Sequence, residues 1–439
     1  MKFTKLGRAA LAVVASLGFA LGLTSCQQNY TVGYVFVTGS QYNQIASFEE
    51  QNSTGNLFQS IGSPYGSGGT NPIRVVVLPG GRYLYVLNQG TPGTADPATG
   101  NIPYSGAHIS LFAIGGNGTL AFQANYESQG SDSQRIATDA SGKYIFVLDE
   151  YSPVGTNVSP TGGKGTSFPC QSSDGKFHPY GDVSVYSIDG NTGRLTLVTN
   201  QQQQSSNGTQ LTYFPVGCFP IDFHPTSGYL YTADAGTNAT ADVNTVFAYA
   251  INTTNGQLTL TQNAPLQTGA MSISAINGDT ANKYLYILDP TANMIRPFTV
   301  GANGALQSQT NGPMSNSTSL AGNPTQLVVD TQGKFLYVAN AGPPSSNLTN
   351  PNSDITAYFI DSSGTLSTIS GEPYSTGSGP QCIIEDTSKQ YFYTANFNAN
   401  TVTGKVYNPS TGFMVPMQHQ TDFSTIGNPT FCATTAAIF

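Results

Sequence analysis

Tryptophan is absent from the 439 residues, histidine occurs four times, and charged side chains make up 9% of the chain. Four histidines without ligand spacing, and no Cys-x-x-Cys pair, specify no metal centre, so none is expected. There is no phosphate loop, serine nucleophile elbow or Cys-x-x-Cys-His haem site, and no cofactor is expected either. Only 15 lysines and arginines stand against 23 acidic residues, which leaves no electrostatic footprint for nucleic acid. No stretch after residue 26 carries a helical period. The apolar run Ala9–Leu23 is short of the roughly 20 residues that a permanent membrane span needs. With charge so scarce, the polar surface falls to Asn, Gln, Ser and Thr, while 24 tyrosines and 23 phenylalanines carry all the aromatic burial.

What the chain does have is a repeat. Gly333-Lys334-Phe335-Leu336-Tyr337-Val338-Ala339-Asn340 returns as GRYLYVLN (Gly81 to Asn88), GKYIFVLD (Gly142 to Asp149) and NKYLYILD (Asn282 to Asp289). Weaker copies begin at Val32, Ser227 and Ser388, making seven. The first aromatics of the phrase, Tyr34, Tyr83, Tyr144, Tyr229, Tyr284, Phe335 and Tyr391, average about 60 residues apart, longer than the ~40–45 of WD40 repeats. Each unit reads as four strands: in the sixth, Thr325–Asp330, Phe335–Asn340, Asp354–Ile360 and Thr365–Ile369. Hairpins such as Asn255-Gly256 and Asn303-Gly304 supply the positive φ of tight turns. These features predict an all-β fold, a seven-bladed β-propeller of four-stranded antiparallel blades over residues 32–439. The first unit lacks an inner strand, and Gly427-Asn428-Pro429-Thr430-Phe431-Cys432-Ala433 matches the inner strand at 322–328. The C-terminal strand is therefore expected to close blade one, which removes an open edge.

Residues 1–25 read as an address. Lys2, Lys5 and Arg8 precede the apolar run, and Leu23-Thr24-Ser25-Cys26 resembles the bacterial lipobox. That resemblance implies cleavage before Cys26, lipidation of Cys26 and a short tether over 26–31. Gln27 in place of Asp implies an outer-membrane destination, outside the cytoplasm in any case. Removing the three basic residues leaves 12 basic against 23 acidic residues, or -11.

NPTQLVVDTQGKFLYVAN, followed by DITAYFIDSSGTL, resembles the lactonase-like seven-bladed propellers, the 6-phosphogluconolactonase type, and the related YVTN-repeat propellers of cell envelopes. The resemblance covers about residues 30 to 439 and implies a hydrolase opening a sugar lactone or similar cyclic ester. Members of that family open the inner strand with a His-Pro-Arg-His kind of phrase. Here the matching stretches NPIR (Asn71 to Arg74), NPTQ, NPTF and SQR (Ser133 to Arg135) have lost the histidines, and only Arg74 and Arg135 keep a cation. A non-catalytic envelope propeller that binds a glycan, a peptide or a partner protein is the alternative.

Propeller connectivity puts the long insertions Gln89–Gly106, Glu150–Tyr180, Thr199–Gly217 and Ala341–Ser353 on one face, the expected binding face. There Glu150 and His178 are the candidate acid–base pair and Arg74 and Arg135 the candidate oxyanion or anion grips. His108, Asp149, Tyr151 and His419 are candidate ligand contacts. The Asn or Asp closing each phrase reads as turn chemistry, and His224, in Phe223-His224-Pro225, as a structural residue at an opposite-face turn. The expected partner is a small molecule, a glycan or an envelope protein; the chain is expected to be a monomer that meets the membrane only through its lipid. Beyond Cys26, four cysteines remain. Chain topology favours Cys170–Cys218 on the insertion face and Cys382–Cys432 across the closure, with buried thiols the alternative for the second pair.

Overall fold

The computed structural model describes residues 30–94, 104–153, 157–164, 170–171, 175–235, 244–261, 265–316, 321–342 and 353–437. The signal segment and Cys26 lie outside these residues. Among the described residues every regular element is a strand, and no helix is long and apolar enough to cross a membrane.

Seven antiparallel sheets form the ring. In blade six the inner strand Pro324–Val329 pairs with Phe335–Asn340, which pairs with Asp354–Ile360, which pairs with the outer strand Leu366–Thr368. Blade one is built from both ends of the chain: Thr31–Gly39 is flanked by Gln44–Gln51 on one side and by the C-terminal strand Pro429–Ala436 on the other. The predicted closure is thus present. Six blades also carry a fifth short strand beside the outer one, such as Tyr374–Ser375 against Ile355.

The phrase explains how neighbouring blades are fastened. Its central residues are buried; Leu336, Tyr337, Val338 and Ala339 are fully so. Its first aromatic lies on the next blade's third-to-outer hairpin, at a glycine with φ of +81° in the case of Gly364. A Cβ there would come within 2.3 Å of the Tyr284 ring, so glycine is required twice over, by φ and by the ring. The second tyrosine of the phrase donates its hydroxyl to the same hairpin: Tyr286 to the Gly364 carbonyl at 3.0 Å, Tyr337 to Gly412 at 2.8 Å, and Tyr393 to Gly55 at 2.7 Å across the closure.

At the turn following the inner strand, the chain uses an aspartate. Asp330 Oδ1 accepts from the amides of Lys334 at 2.7 Å and Phe335 at 2.8 Å; Asp139, Asp279 and Asp386 do the same in their blades. The Asn or Asp that ends the phrase is likewise fully buried at Asn88, Asp149, Asp234, Asp289, Asn340 and Asn396. These residues tie the strand end to its surroundings, as Asn340 does to Asp354 at 2.8 Å.

Candidate functional site

Each inner strand enters from the insertion face, and the register slips immediately after its first residue in blades two, four, six and seven, and after Ser133 in blade three. The slip is a β-bulge, which re-aims the following side chain. That side chain is Arg74 in blade two, Arg135 in blade three, Asp222 in blade four and Gln326 in blade six. These four residues line one central cavity of about 290 Å³, together with His224, Asn277 and Phe431. The lining continues to Val77, Pro225 and Thr434, toward the far ends of the inner strands.

The charges in this cavity do not balance. Arg135 Nε pairs with Asp222 Oδ1 at 2.9 Å, with side chains only 15% and 7% exposed. Asp222 also accepts from the amides of Phe223 at 2.9 Å and Ile276 at 3.1 Å. Arg74 has no such partner. It lies 4.4 Å over the Phe431 ring, and its Nη1 reaches the carbonyls of Ile73 at 3.0 Å and Thr430 at 3.4 Å. Its Nε is buried and meets no acceptor. Burial pushes the Arg74 guanidinium well below its ordinary value, the nearby Arg135 charge pushes it further, and Asp222 opposes both. Two guanidiniums against one carboxylate leave a surplus positive charge, and burying such a charge is costly unless an anion joins it.

Here the structure extends the reading of His224. It sits at the far end of the inner strand Pro220–Pro225, beside the opposite-face turn as expected, and in addition lines the cavity. Enclosure by protein pushes its imidazole down to about 4, against weaker opposing attraction from Asp222 and Asp279, so it is neutral at pH 7.

Glu150 sits in a different group. It adjoins Asp132; burial holds both carboxyls above their ordinary values, and Glu150 raises Asp132 further, to about 8, while the hydrogen bond to Asp132 acts to lower Glu150. Gln89 Nε2 donates to Asp132 at 2.6 Å and Gln134 Nε2 donates to Glu150 at 3.2 Å. The Gln134 carbonyl accepts from Arg135 Nη1 at 2.9 Å, which links the acid pair to the arginine layer through one residue. Tyr151 completes the group against Glu150.

His178 is not with the arginines. It is 1% exposed, held edge-on between Tyr151 at 5.3 Å and Phe219 at 4.9 Å, with Nδ1 2.8 Å from the Pro179 carbonyl. Its place is behind Tyr151. Asp149 is fully buried; Ser128, Ser133 and the Gly130 amide donate to it, and its carboxyl is raised to about 6, chiefly by burial. His108 lies between the carbonyls of Gly106 at 2.6 Å and Gly68 at 3.0 Å, beside a separate hollow lined by Tyr104, Asn125 and Glu127. His419 is exposed in the last loop at φ 71°. Cys170 is bonded to Cys218 (Cα–Cα 5.4 Å) and Cys382 to Cys432 (Cα–Cα 5.8 Å). Among the described residues no group of three or more His, Cys, Asp and Glu is placed to hold a metal.

Sequence reasoning passed over Asp132, Asp222 and the place of His224 in the cavity lining. The signal for Asp222 was present: Pro220, like Pro72, stands two residues before the bulge residue, which aligns Asp222 with Arg74.

The profile described as "Lactonase, 7-bladed beta-propeller" matches residues 221–343 and 312–421. A 6-phosphogluconolactonase of Serratia proteamaculans is 25% identical over 299 residues, 63% of this chain and 81% of that protein. The fold is that of the periplasmic gluconolactonase PpgL of Pseudomonas aeruginosa, with a TM-score of 0.62 at 14% identity, covering 93% of this chain and 100% of that one. A Lactobacillus plantarum protein superposes equally well, with a TM-score of 0.62 at 15% identity over 92% of this chain and 100% of its own.

Proposed function

We propose, from the premise that the chain is a lactonase-like seven-bladed β-propeller, that its central cavity takes an anionic sugar lactone or its aldonate product and hydrolyses the lactone. The observation that carries this reading is Arg74, a buried cation whose Nε has no acceptor in a cavity of about 290 Å³, close to the lower end of the volumes that hold small ligands. The name of the Serratia relative fits an anionic substrate, since a phosphorylated lactone carries negative charge before and after ring opening.

Hydrolysis of a lactone needs three things: a base for the attacking water, a donor for the carbonyl oxygen as it becomes an oxyanion, and a proton for the departing ring oxygen. Arg74 and Arg135 supply the fixed positive charge for the oxyanion and then for the carboxylate product. The Asp132–Glu150 pair, holding a carboxyl that titrates at about 8, supplies the acid–base function from the insertion side. The neutral His224 is a further acceptor inside the cavity.

Two observations favour a second reading, binding without catalysis: the carboxyl pair is outside the set of residues lining the arginine cavity, and the inner strands lack the histidines of the family phrase. Purified protein assayed on sugar lactones and homoserine lactones separates the two. Hydrolysis should fall sharply with Glu150→Gln, and the residual activity should show its step near pH 8 displaced to lower pH, because Asp132 no longer faces a second carboxylate. Aldonate binding by calorimetry without turnover of any lactone would decide for the binding protein.

Both disulfides fit a site of action outside the cytoplasm, as does the lipobox-like stretch ending at Cys26. Acylation there, in an outer membrane, is part of the same proposal.

A further inference from the structure

Five of the twelve basic residues after residue 26 occupy one place in the repeat. Arg82, Lys143, Lys283 and Lys334 immediately precede the first aromatic of the phrase, and Lys389 stands two residues before Tyr391. Each lies at the turn between inner and second strand, on the face opposite the insertions. Arg194 joins them from the third-to-outer hairpin of blade three. All six are exposed.

The acids of the same turns point inward. Asp139, Asp279, Asp330 and Asp386 are buried and bonded to backbone amides, so they hold the turns while the lysines project past them. On the hairpins of this face only Asp189 and Asp361 are exposed acids among the described residues, and Glu49 is half-buried. The outermost layer of the face is therefore cationic, in a chain that carries -11 beyond residue 26 (12 basic against 23 acidic).

The described chain also begins on this face. Thr31 lies opposite Gln51, the Ala437 amide donates to the Val32 carbonyl at 2.8 Å, and Tyr30, 56% exposed, is bonded to Asn52. Asn52 in turn accepts from Tyr391, the foot of the blade-seven phrase.

We propose that this lysine-bearing face rests on a bilayer of anionic phospholipid headgroups, with the cavity and insertions turned away from it. The proposal rests on the reading of Cys26 as acylated only for its setting: four residues of chain hold Tyr30 within about 14 Å of Cys26. The acids of the far face lie a strand's length off, roughly 20 Å, more than twice the ~8 Å over which charge acts at physiological salt. Their repulsion is screened; the turn aspartates lie beneath the lysines and share their charge with the backbone amides they accept from, while the lysines meet the headgroups directly. Cations from five of the seven blades, spread around a ring on flexible stems and without a pocket, match a diffuse anionic surface better than a single bound anion.

The test uses the chain from residue 26 onward with Cys26→Ser, which contains every strand and has no acyl group. It is sedimented with vesicles of phosphatidylglycerol and phosphatidylethanolamine, and with vesicles of phosphatidylcholine alone. Binding is expected to the first, to be lost at high salt, and to weaken by about tenfold or more when Lys143, Lys283, Lys334 and Lys389 are all changed to Gln. Changing Lys164 and Lys176, on the insertion face, to Gln should leave it unaltered. No binding to the anionic vesicles, equal binding to both kinds, or a four-fold variant that sediments like the parent would overturn the proposal; circular dichroism establishes that the variant is folded. Incorporation of an alkyne fatty acid at Cys26 in cells is a separate measurement, so a failed anchor and a failed docking face are told apart.

Discussion

A guanidinium stacked on Phe431 and beside a second guanidinium is held in the cavity at a cost to the fold, and this separates two arginines that look alike in the sequence. Arg74→Met removes an uncompensated buried charge while keeping most of the side-chain volume, so stability should stay level or rise by about 1 kcal/mol, while aldonate affinity falls at least tenfold. Arg135→Met does the reverse to the fold: it strands Asp222 and should cost about 2 kcal/mol or more, read as a lower denaturant midpoint. Equal stability losses for the two variants would contradict this assignment. Both arginines were visible from sequence as cations opening inner strands; Asp222 shares their place in the repeat, but its pairing was not legible, and neither were Asp132 and the inward-facing His224. A repeat displays what recurs within each blade. These three act through residues on neighbouring blades or insertions, and no local pattern marks such a meeting.

At the level of the blade and its turns, the fold stores protons. Glu50 is 1% exposed, and burial first, then Asp386, raises its carboxyl to about 9, from 4.5 for an ordinary glutamate. The folded chain therefore keeps a proton that the unfolded chain gives up, and stability falls as pH rises from about 4.5 to about 9. Asp132, at about 8, acts in the same sense. His224, lowered to about 4, acts oppositely, adding stability as pH rises from about 4 to 6.5. The decline should thus be clearest between about pH 6.5 and 9, measured as a falling urea midpoint, and Glu50→Gln should flatten it. A midpoint that rises over this range would refute the sign. The phrase made the strands and their register legible, down to the aromatics that meet the next blade. It did not reveal the aspartates that cap the inner turns, because Leu78 and Thr226 occupy that place in blades two and four and break the pattern. The fifth short strands escaped notice for a simpler reason: segments of two or three residues have no period to read.

For the molecule as a whole, the closure concentrates the risk. Blade one joins residues some 400 positions apart, as Val37 and Cys432 are, and the Cys382–Cys432 bond ties blade seven to the strand that completes blade one. Closing a loop of 50 residues in the unfolded chain is worth about 2–4 kcal/mol, so Cys382→Ser with Cys432→Ser should lower stability by that amount, and reductant, which also opens Cys170–Cys218, should destabilise the parent chain by more than it does the double variant. The closure itself was legible because Asn428-Pro429-Thr430 repeats Asn323-Pro324-Thr325 after the last blade has already been counted. Its consequence is one of timing. The edge of Thr31–Gly39 is made some 400 residues before Pro429–Ala436 and stays without its inner partner until that strand arrives to cover it. Every other blade can pair its own strands as they emerge, but the ring itself stays unfinished until that one strand has been made.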